Sequence, residues 1–180
     1  MRAKLIFFSA CAGTLAACLG ALTLAWLLPR TDSVVGAERS AVAFVRAHTP
    51  MKRVQNVQWY TGGPLEITVT GRTYNGQLMY AFVENGRATI AYGDQVVSAR
   101  RAIAAARQLG YPVAGIVSAV PCWIDPAYTT VFGSRARSDA VWEVTEKLKN
   151  GHYLFAYIDM YTGDMLWHFT TDASFHPWQE

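Results

Sequence analysis

The sequence contains few cysteines and little charge. Three of its 180 residues are cysteine, and charged residues make up 16% of the chain. Cys11 and Cys18 lie in the apolar N-terminal part, so Cys122 is the only cysteine in the remainder, which therefore cannot close an internal disulfide. Small extracellular domains of eukaryotes often depend on disulfides. We therefore expect a bacterial surface protein that is stabilised by its core.

Charge is absent altogether from the segment Leu5 to Pro29. At about 1.5 Å per residue, a helix of that length exceeds the ~30 Å core of a bilayer. Arg2 and Lys4 precede the segment, so the positive-inside rule places the N-terminus in the cytoplasm and the rest of the chain outside. The sequence predicts that residues 1–30 are a cytoplasmic tail and a single membrane anchor.

Two other interpretations of this segment remain open. A signal peptide could be cleaved near Ala17 or Ala21, although the apolar run exceeds the 7–15 residues of a typical signal-peptide core. The stretch LAAC, Leu15 to Cys18, resembles a lipobox in which Cys18 would carry a lipid. More apolar residues follow Cys18 where a lipoprotein normally has a polar tether, so we favour an uncleaved anchor.

The chain has little basic excess. The formal net charge is +3, and without Arg2 and Lys4 the count is 14 basic against 13 acidic residues. This balance predicts no nucleic-acid partner. The phosphate-binding loop, the dinucleotide fingerprint and the GxSxG and HExxH motifs are also absent from the sequence.

One segment of the sequence occurs twice. DSVVGAERSAVAF (Asp32 to Phe44) and DQVVSARRAIAAA (Asp94 to Ala106) lie 62 positions apart and share six of thirteen residues. Each predicts a helix with an alanine-rich face, and Asp32 and Asp94 are the predicted N-caps.

The segments that follow each predicted helix alternate with the period of a β-strand. Tyr80–Val83 aligns with Phe155–Ile158 at an offset of 75, so the second copy has 75 − 62 = 13 additional residues between its helix and this strand. We assign the excess to a longer hairpin or loop within 119–139. The sequence thus predicts an α+β fold with one unit over 31–92, a second over 93–171 and a polar tail over 172–180.

The stretch AVWEVTEKLKNGHYLFAYIDMYTGDMLW, residues 140–167, resembles the C-terminal signature of the TseB-like (YpmB-like) proteins of Gram-positive bacteria. The matching residues are Trp142-Glu143-Val144, Gly151-His152-Tyr153, Asp159 and Thr162-Gly163. The resemblance implies an N-terminal transmembrane helix followed by two cystatin-like repeats related to PepSY domains, each with one helix packed on an antiparallel sheet. It also implies a non-enzymatic regulator of cell-wall elongation that acts on a penicillin-binding protein. Residues 121–139 depart from the family pattern.

Two other functions fit the same sequence. A PepSY-like modulator or inhibitor of a secreted peptidase would have the same architecture and a different partner. A small-ligand-binding or catalytic cone-shaped α+β domain would need a long helix over a deep polar pocket, whereas the predicted helices are short and their inward positions apolar.

Candidate chemical groups are scattered along the sequence. The histidines, His48, His152, His168 and His176, lack a third ligand at metal-site spacing, so no metal or other cofactor is predicted. Cys122 has no cysteine–histidine signature around it. Four residues near the MYTG stretch are predicted to form a structural turn rather than a catalytic pair: Asp159, Thr162, Gly163 and Asp164.

The aromatic residues are the candidate partner surface. Most aromatic stripes are core, but one at a groove or sheet edge could receive a partner peptide by strand addition. Trp59 and Tyr60 are predicted to lie in a loop. The full candidate set is Trp59, Tyr60, Trp142, Tyr153, Tyr157 and Trp167.

Overall fold

The computed structural model describes residues 34–60, 66–124 and 139–172. The first helix, α1, covers residues 34–48, and the second, α2, covers Ala99–Arg107. The strands are β1 (Met51–Tyr60), β2 (Glu66–Thr73), β3 (Leu78–Glu84), β4 (Arg87–Tyr92), β5 (Val113–Trp123), β6 (Ala140–Leu148), β7 (Tyr153–Asp159) and β8 (Met165–Thr171). The predicted α+β class is confirmed.

The strands form two four-stranded antiparallel sheets. Sheet A has the order β1-β2-β3-β4 and follows α1, while sheet B has the order β5-β6-β7-β8 and follows α2. Consecutive strands are neighbours throughout, so both sheets are simple meanders. Asn85 and Gly86 form the predicted turn between β3 and β4, with φ of 47° and 72°.

Two strands include residues for which the sequence predicted a loop or a longer hairpin. Trp59 and Tyr60 belong to β1 and not to a loop, and β5 extends through Trp123 into the stretch predicted as a longer hairpin or loop. Two register shifts interrupt the pairing of β1 with β2, and two more interrupt that of β5 with β6. A bulge reverses the order of inward and outward residues, which removes the period-two pattern from the sequence.

The predicted N-cap at Asp94 is wrong. Helix α2 begins at Ala99, and its N-cap is Ser98, whose side chain accepts the backbone N–H of Arg101. The backbone N–H of Val97 donates to the carbonyl of Met160 at 2.7 Å, so this residue is held by sheet B outside the helix. The carboxylate of Asp94 instead accepts two hydrogen bonds from the Gln77 amide, at 2.9 and 3.0 Å. Asp32, the other predicted cap, lies outside the described residues.

One hydrophobic core contains residues of both sheets and of α2. Its members come from sheet A (Tyr80, Phe82, Ala91), from α2 (Ala102, Ala106) and from sheet B (Trp142, Val144, Ala156, Ile158). The small alanine side chains allow α2 to lie close to β5, β6 and β7. The described residues from Ala41 onward form one compact unit that contains both sheets.

The two ends of the chain were predicted to be an anchor and a tail. Residues 1–30 lie outside the described residues, as do residues 173–180 of the predicted tail. Within the described ranges, none of the helices has the length and apolar character needed to span a bilayer.

Candidate partner surface and the acidic junction behind it

The turn after β7 is organised by Asp159. This residue is fully buried, and its Oδ1 accepts the backbone N–H groups of Tyr161 at 2.7 Å and Thr162 at 2.9 Å. Gly163 has φ of +80° and donates its N–H to the carbonyl of Asp159 at 2.9 Å. The N–H of Asp164 donates to the Thr162 hydroxyl at 3.1 Å. Asp159 is therefore occupied by turn amides, as the sequence predicts.

Beyond this turn, β7 and β8 carry a ladder of aromatic rings on the face opposite α2. The strand register places Tyr157 opposite Trp167 and Phe155 opposite Phe169. The rings of the first pair are stacked with centroids 5.7 Å apart, and those of the second with centroids 5.0 Å apart. Trp167 and Phe169 also contact each other along β8, at 5.1 Å. The β7 rings are buried, whereas Trp167 is 43% exposed.

The structure divides the six predicted surface aromatics into two groups. Trp167 is exposed, and Trp59 and Tyr153 are half-buried. Tyr60, Trp142 and Tyr157 are buried, so their prediction as surface residues is wrong. Tyr60 and Tyr157 pack in a cluster with Cys122 and Val141, while Trp142 lies in the core beside α2.

A carboxylate on β6 is hydrogen-bonded to one of the buried rings of the ladder. The Tyr157 hydroxyl donates to Oε2 of Glu143, its cross-strand neighbour, at 2.8 Å. Burial raises the pKa of Glu143, and burial followed by the charge of Glu143 raises that of Tyr157. The tyrosine thus remains a hydrogen-bond donor at neutral pH. This bond fixes the ring on which Trp167 is stacked.

A second buried acid connects the two sheets. Glu66, the first residue of β2, accepts the backbone N–H of Trp123 on β5, at 2.9 and 3.0 Å to its two oxygens. The hydroxyl of Thr68 donates to the carbonyl of Pro121 at 2.8 Å. Burial raises the pKa of Glu66 to about 7. This contact between the two sheets could not be predicted from the sequence, because alternation along β2 separates Glu66 and Thr68 from Ile67 and Val69 but does not show what covers them.

The raised pKa of Glu66 predicts a pH-dependent stability. Between its ordinary value of 4.5 and about 7, the folded state binds more protons than the unfolded state. The free energy of unfolding should therefore fall as pH rises through this window, by at most about 1.4 kcal/mol per pH unit from this group. Glu66→Gln should reduce the slope, and Glu143 should supply what remains. Urea unfolding between pH 4.5 and 8 measures this effect.

Asp164→Asn, on an exposed carboxylate, is the matched control for the Glu66 variant. Its slope of stability against pH gives the comparison value for the loss of an exposed carboxylate. An equal slope in the Glu66→Gln protein and the unaltered protein would show that Glu66 has no raised pKa.

The remaining candidate groups are held in structural contacts. The Cys122 thiol is buried and donates to the Val141 carbonyl at 3.7 Å, and burial raises its pKa well above its ordinary value, which disfavours the thiolate. His48 is stacked on Phe44, and His168 lies edge-on to Tyr111. No group of three potential metal ligands occurs within 34–60, 66–124 and 139–172. His176 lies outside these ranges.

An open groove lies at the end of the β3–β4 hairpin. Its volume is about 520 Å³, and its lining residues are Phe82, Glu84, Asn85, Arg87, Thr89 and Trp123. All of them lie in strands or in the hairpin turn. The groove therefore differs from the polar pocket beneath a long helix that a cone-shaped α+β enzyme uses.

The fold is similar to that of a known protein. The YpmB protein from Bacillus subtilis matches with a TM-score of 0.58 and 20% sequence identity, over 74% of this chain and 97% of that chain. No family model matches the chain, and no curated protein matches it. At this identity the likeness shows the fold alone. The YpmB-like fold implied by residues 140–167 is therefore confirmed.

Proposed function

We propose that this protein is a non-enzymatic, membrane-anchored binding protein that acts outside the cell membrane as a regulator of cell-wall elongation. Its proposed partner is a penicillin-binding protein. The YpmB-like fold supports this function, as does the uncharged segment Leu5 to Pro29 ahead of that fold. The observation that carries the proposal is the exposed indole of Trp167 on the aromatic ladder of sheet B.

Trp167 has the properties of an interface anchor. Its ring lies on β8 and is stacked on Tyr157, whose hydroxyl is fixed by Glu143. Tryptophan is among the residues that contribute most to protein interfaces, and a side chain already held in place loses little conformational entropy on binding. The ladder therefore offers a partner a rigid aromatic surface.

Trp167→Ala should abolish capture of the partner while the protein remains folded. A side chain exposed to this degree contributes little to the core, whereas an interface anchor commonly contributes more than 2 kcal/mol to binding. The measurement is crosslinking in intact membranes, followed by purification of the full-length protein and identification of the crosslinked proteins. Circular dichroism of the purified variant checks its folding.

Tyr74→Ala is the matched control, because Tyr74 is an aromatic residue that is 76% exposed in the turn after β2. It should retain the partner. Recovery of a peptidase in place of a penicillin-binding protein would favour the peptidase-modulator function. Equal recovery with Trp167→Ala and with the unaltered protein would exclude the ladder as the partner surface.

The anchor leads to a separate prediction. The mature protein should be full-length and membrane-bound, with every residue after Pro29 outside the cell. Mass spectrometry of the membrane form determines the N-terminus. A mature chain that begins between Ala17 and Asp32, or one with a lipid on Cys18, would contradict an uncleaved anchor.

We also propose that residues 31–92 and 93–171 are two cystatin-like repeats. Both halves have the order of one helix followed by four antiparallel strands. The register agrees with the sequence alignment at an offset of 75, because Val69 pairs with Ala81 and Val144 pairs with Ala156. The chain between β5 and β6 is longer than that between β1 and β2, which supports the proposal of additional residues in the second repeat.

A further inference from the structure

The edge strands of the two sheets are not equally protected against pairing. An unpaired strand edge presents free N–H and C=O groups, and proteins commonly block it with charges, proline or bulges. Strand β1 has Lys52, Arg53 and two register shifts. Strand β5 has Pro121 and two register shifts, and Glu66 and Thr68 bind its backbone. Strand β4 is protected only at its start, by the exposed Arg87.

Strand β8 has none of these protections over most of its length. Its sequence, MLWHFTT, contains no charged residue and no proline. The single register shift lies near its start, so pairing with β7 is regular from Trp167 to Thr171. In the described part of the chain β8 pairs only with β7, and Trp167 and Thr170 are exposed.

We propose that β8 pairs antiparallel with β8 of a second copy of this chain, about a two-fold axis at Phe169. The two sheets B then form one continuous eight-stranded sheet. An isologous contact of this kind closes into a dimer and does not propagate into a fibre.

The sequence of β8 suits self-pairing in this register. Phe169 lies opposite Phe169 of the second copy. This contact continues, across the two-fold axis, the aromatic pairing seen between β7 and β8. Trp167 lies opposite Thr171 of the second copy, and His168 opposite Thr170. Because the strand is uncharged, no like charges meet. An axis at His168 would instead place Asp164 opposite Asp172.

The pairing goes beyond the proposed function and is compatible with it. Strand pairing uses the backbone edge of β8, whereas the partner surface is the face that carries the Trp167 ring. Dimerisation would place two such faces side by side on one sheet. A pair of five-residue segments buries less than a standard interface, so we expect the dimer to depend on the shared membrane, which raises the effective concentration of the two copies.

Disulfide trapping tests the register. Two tagged full-length copies, one with His168→Cys and one with Thr170→Cys, are expressed together with Cys11→Ala and Cys18→Ala in each. Mild oxidation of the membranes should link the two tags, because the introduced cysteines lie directly opposite each other. Either variant alone should link much less, since its two cysteines are offset along the strands beyond the ~7 Å Cα separation that a disulfide spans.

Strand β4 supplies the control, because Thr89 is likewise an exposed threonine on an edge strand. Copies with Thr89→Cys should give only background linking. In a second experiment without introduced cysteines, Thr170→Lys should reduce co-purification of two differently tagged copies at least fivefold, and Thr89→Lys should not.

Linking of the mixed pair at the level of the Thr89→Cys control would overturn the proposal. So would co-purification that is unaffected by Thr170→Lys. Trapping of a different protein on the β8 cysteines, with no linkage between the two tags, would show that β8 receives a partner strand and not a second copy.

Discussion

Trp142→Ala should destabilise the protein by about 3–5 kcal/mol, which is the usual cost of removing a buried large aromatic side chain. The ring is buried in the core shared by α2 and both sheets, and it meets Tyr80 edge-on at 5.7 Å. Its Nε1–H donates to the carbonyl of Val97 at 2.9 Å. One side chain therefore fills the joint core and also holds the segment that leads into α2. Urea unfolding followed by circular dichroism measures the loss.

Two variants separate the contributions of this residue. Trp142→Phe keeps an aromatic ring but leaves the Val97 carbonyl without its indole donor, so we expect a smaller loss of about 1–3 kcal/mol. Trp167→Ala removes an exposed tryptophan from the same sheet and should cost much less than Trp142→Ala. Equal losses for the two alanine variants would mean that Trp142 does not join the two halves.

The features of the fold that depend on local chemistry could be predicted from sequence. Gly86 and Gly163 adopt positive φ in the turns where the sequence places them, and Asp159 binds the turn amides after β7. These signals are contained in four to six neighbouring residues. The alternating segments around them then indicate hairpins, and two helices added to two meanders give the α+β class.

The features that depend on distant residues could not be predicted. The start of α2 is displaced from Asp94 because Val97 is hydrogen-bonded to Met160 and to Trp142, both far away in sequence. The burial of Glu66 results from the approach of β5 to β2, and that of Glu146 accompanies a contact with Arg107 on α2. Period-two alternation describes one strand and contains no information about what covers its polar side.

The exposure of the candidate surface residues could not be predicted from the sequence either. Tyr157 and Trp167 are cross-strand neighbours on one face, and the sequence predicts that both are aromatic residues of one hairpin. Only Trp167 is exposed, because Tyr157 lies one strand further from the edge and packs beside Tyr60. Which aromatic residue of a stripe reaches solvent depends on the order of strands in the sheet.

Asp159→Ala should be the second most damaging of the substitutions considered, at about 3 kcal/mol, since its two hydrogen bonds to turn amides contribute about 1.5 kcal/mol each. The variant leaves the N–H groups of Tyr161 and Thr162 without their acceptor. We expect a lower melting temperature, less protein in the membrane and faster hydrogen exchange at these two amides.

Asp159→Asn is the control that separates a turn acceptor from a catalytic carboxylate. Its side-chain oxygen can still accept both backbone N–H groups, so most of the stability should be retained, together with the cellular phenotype in a complementation assay with measured protein levels. Conservative changes at His152, His168, Asp164 and Cys122 should likewise leave the phenotype nearly intact. A variant at any of these positions that folds and accumulates normally yet loses all function would contradict a binding protein. Normal accumulation of such a variant would show that the side chain is not needed for folding. The loss of function would then mean that the side chain takes part in a reaction or binds a metal.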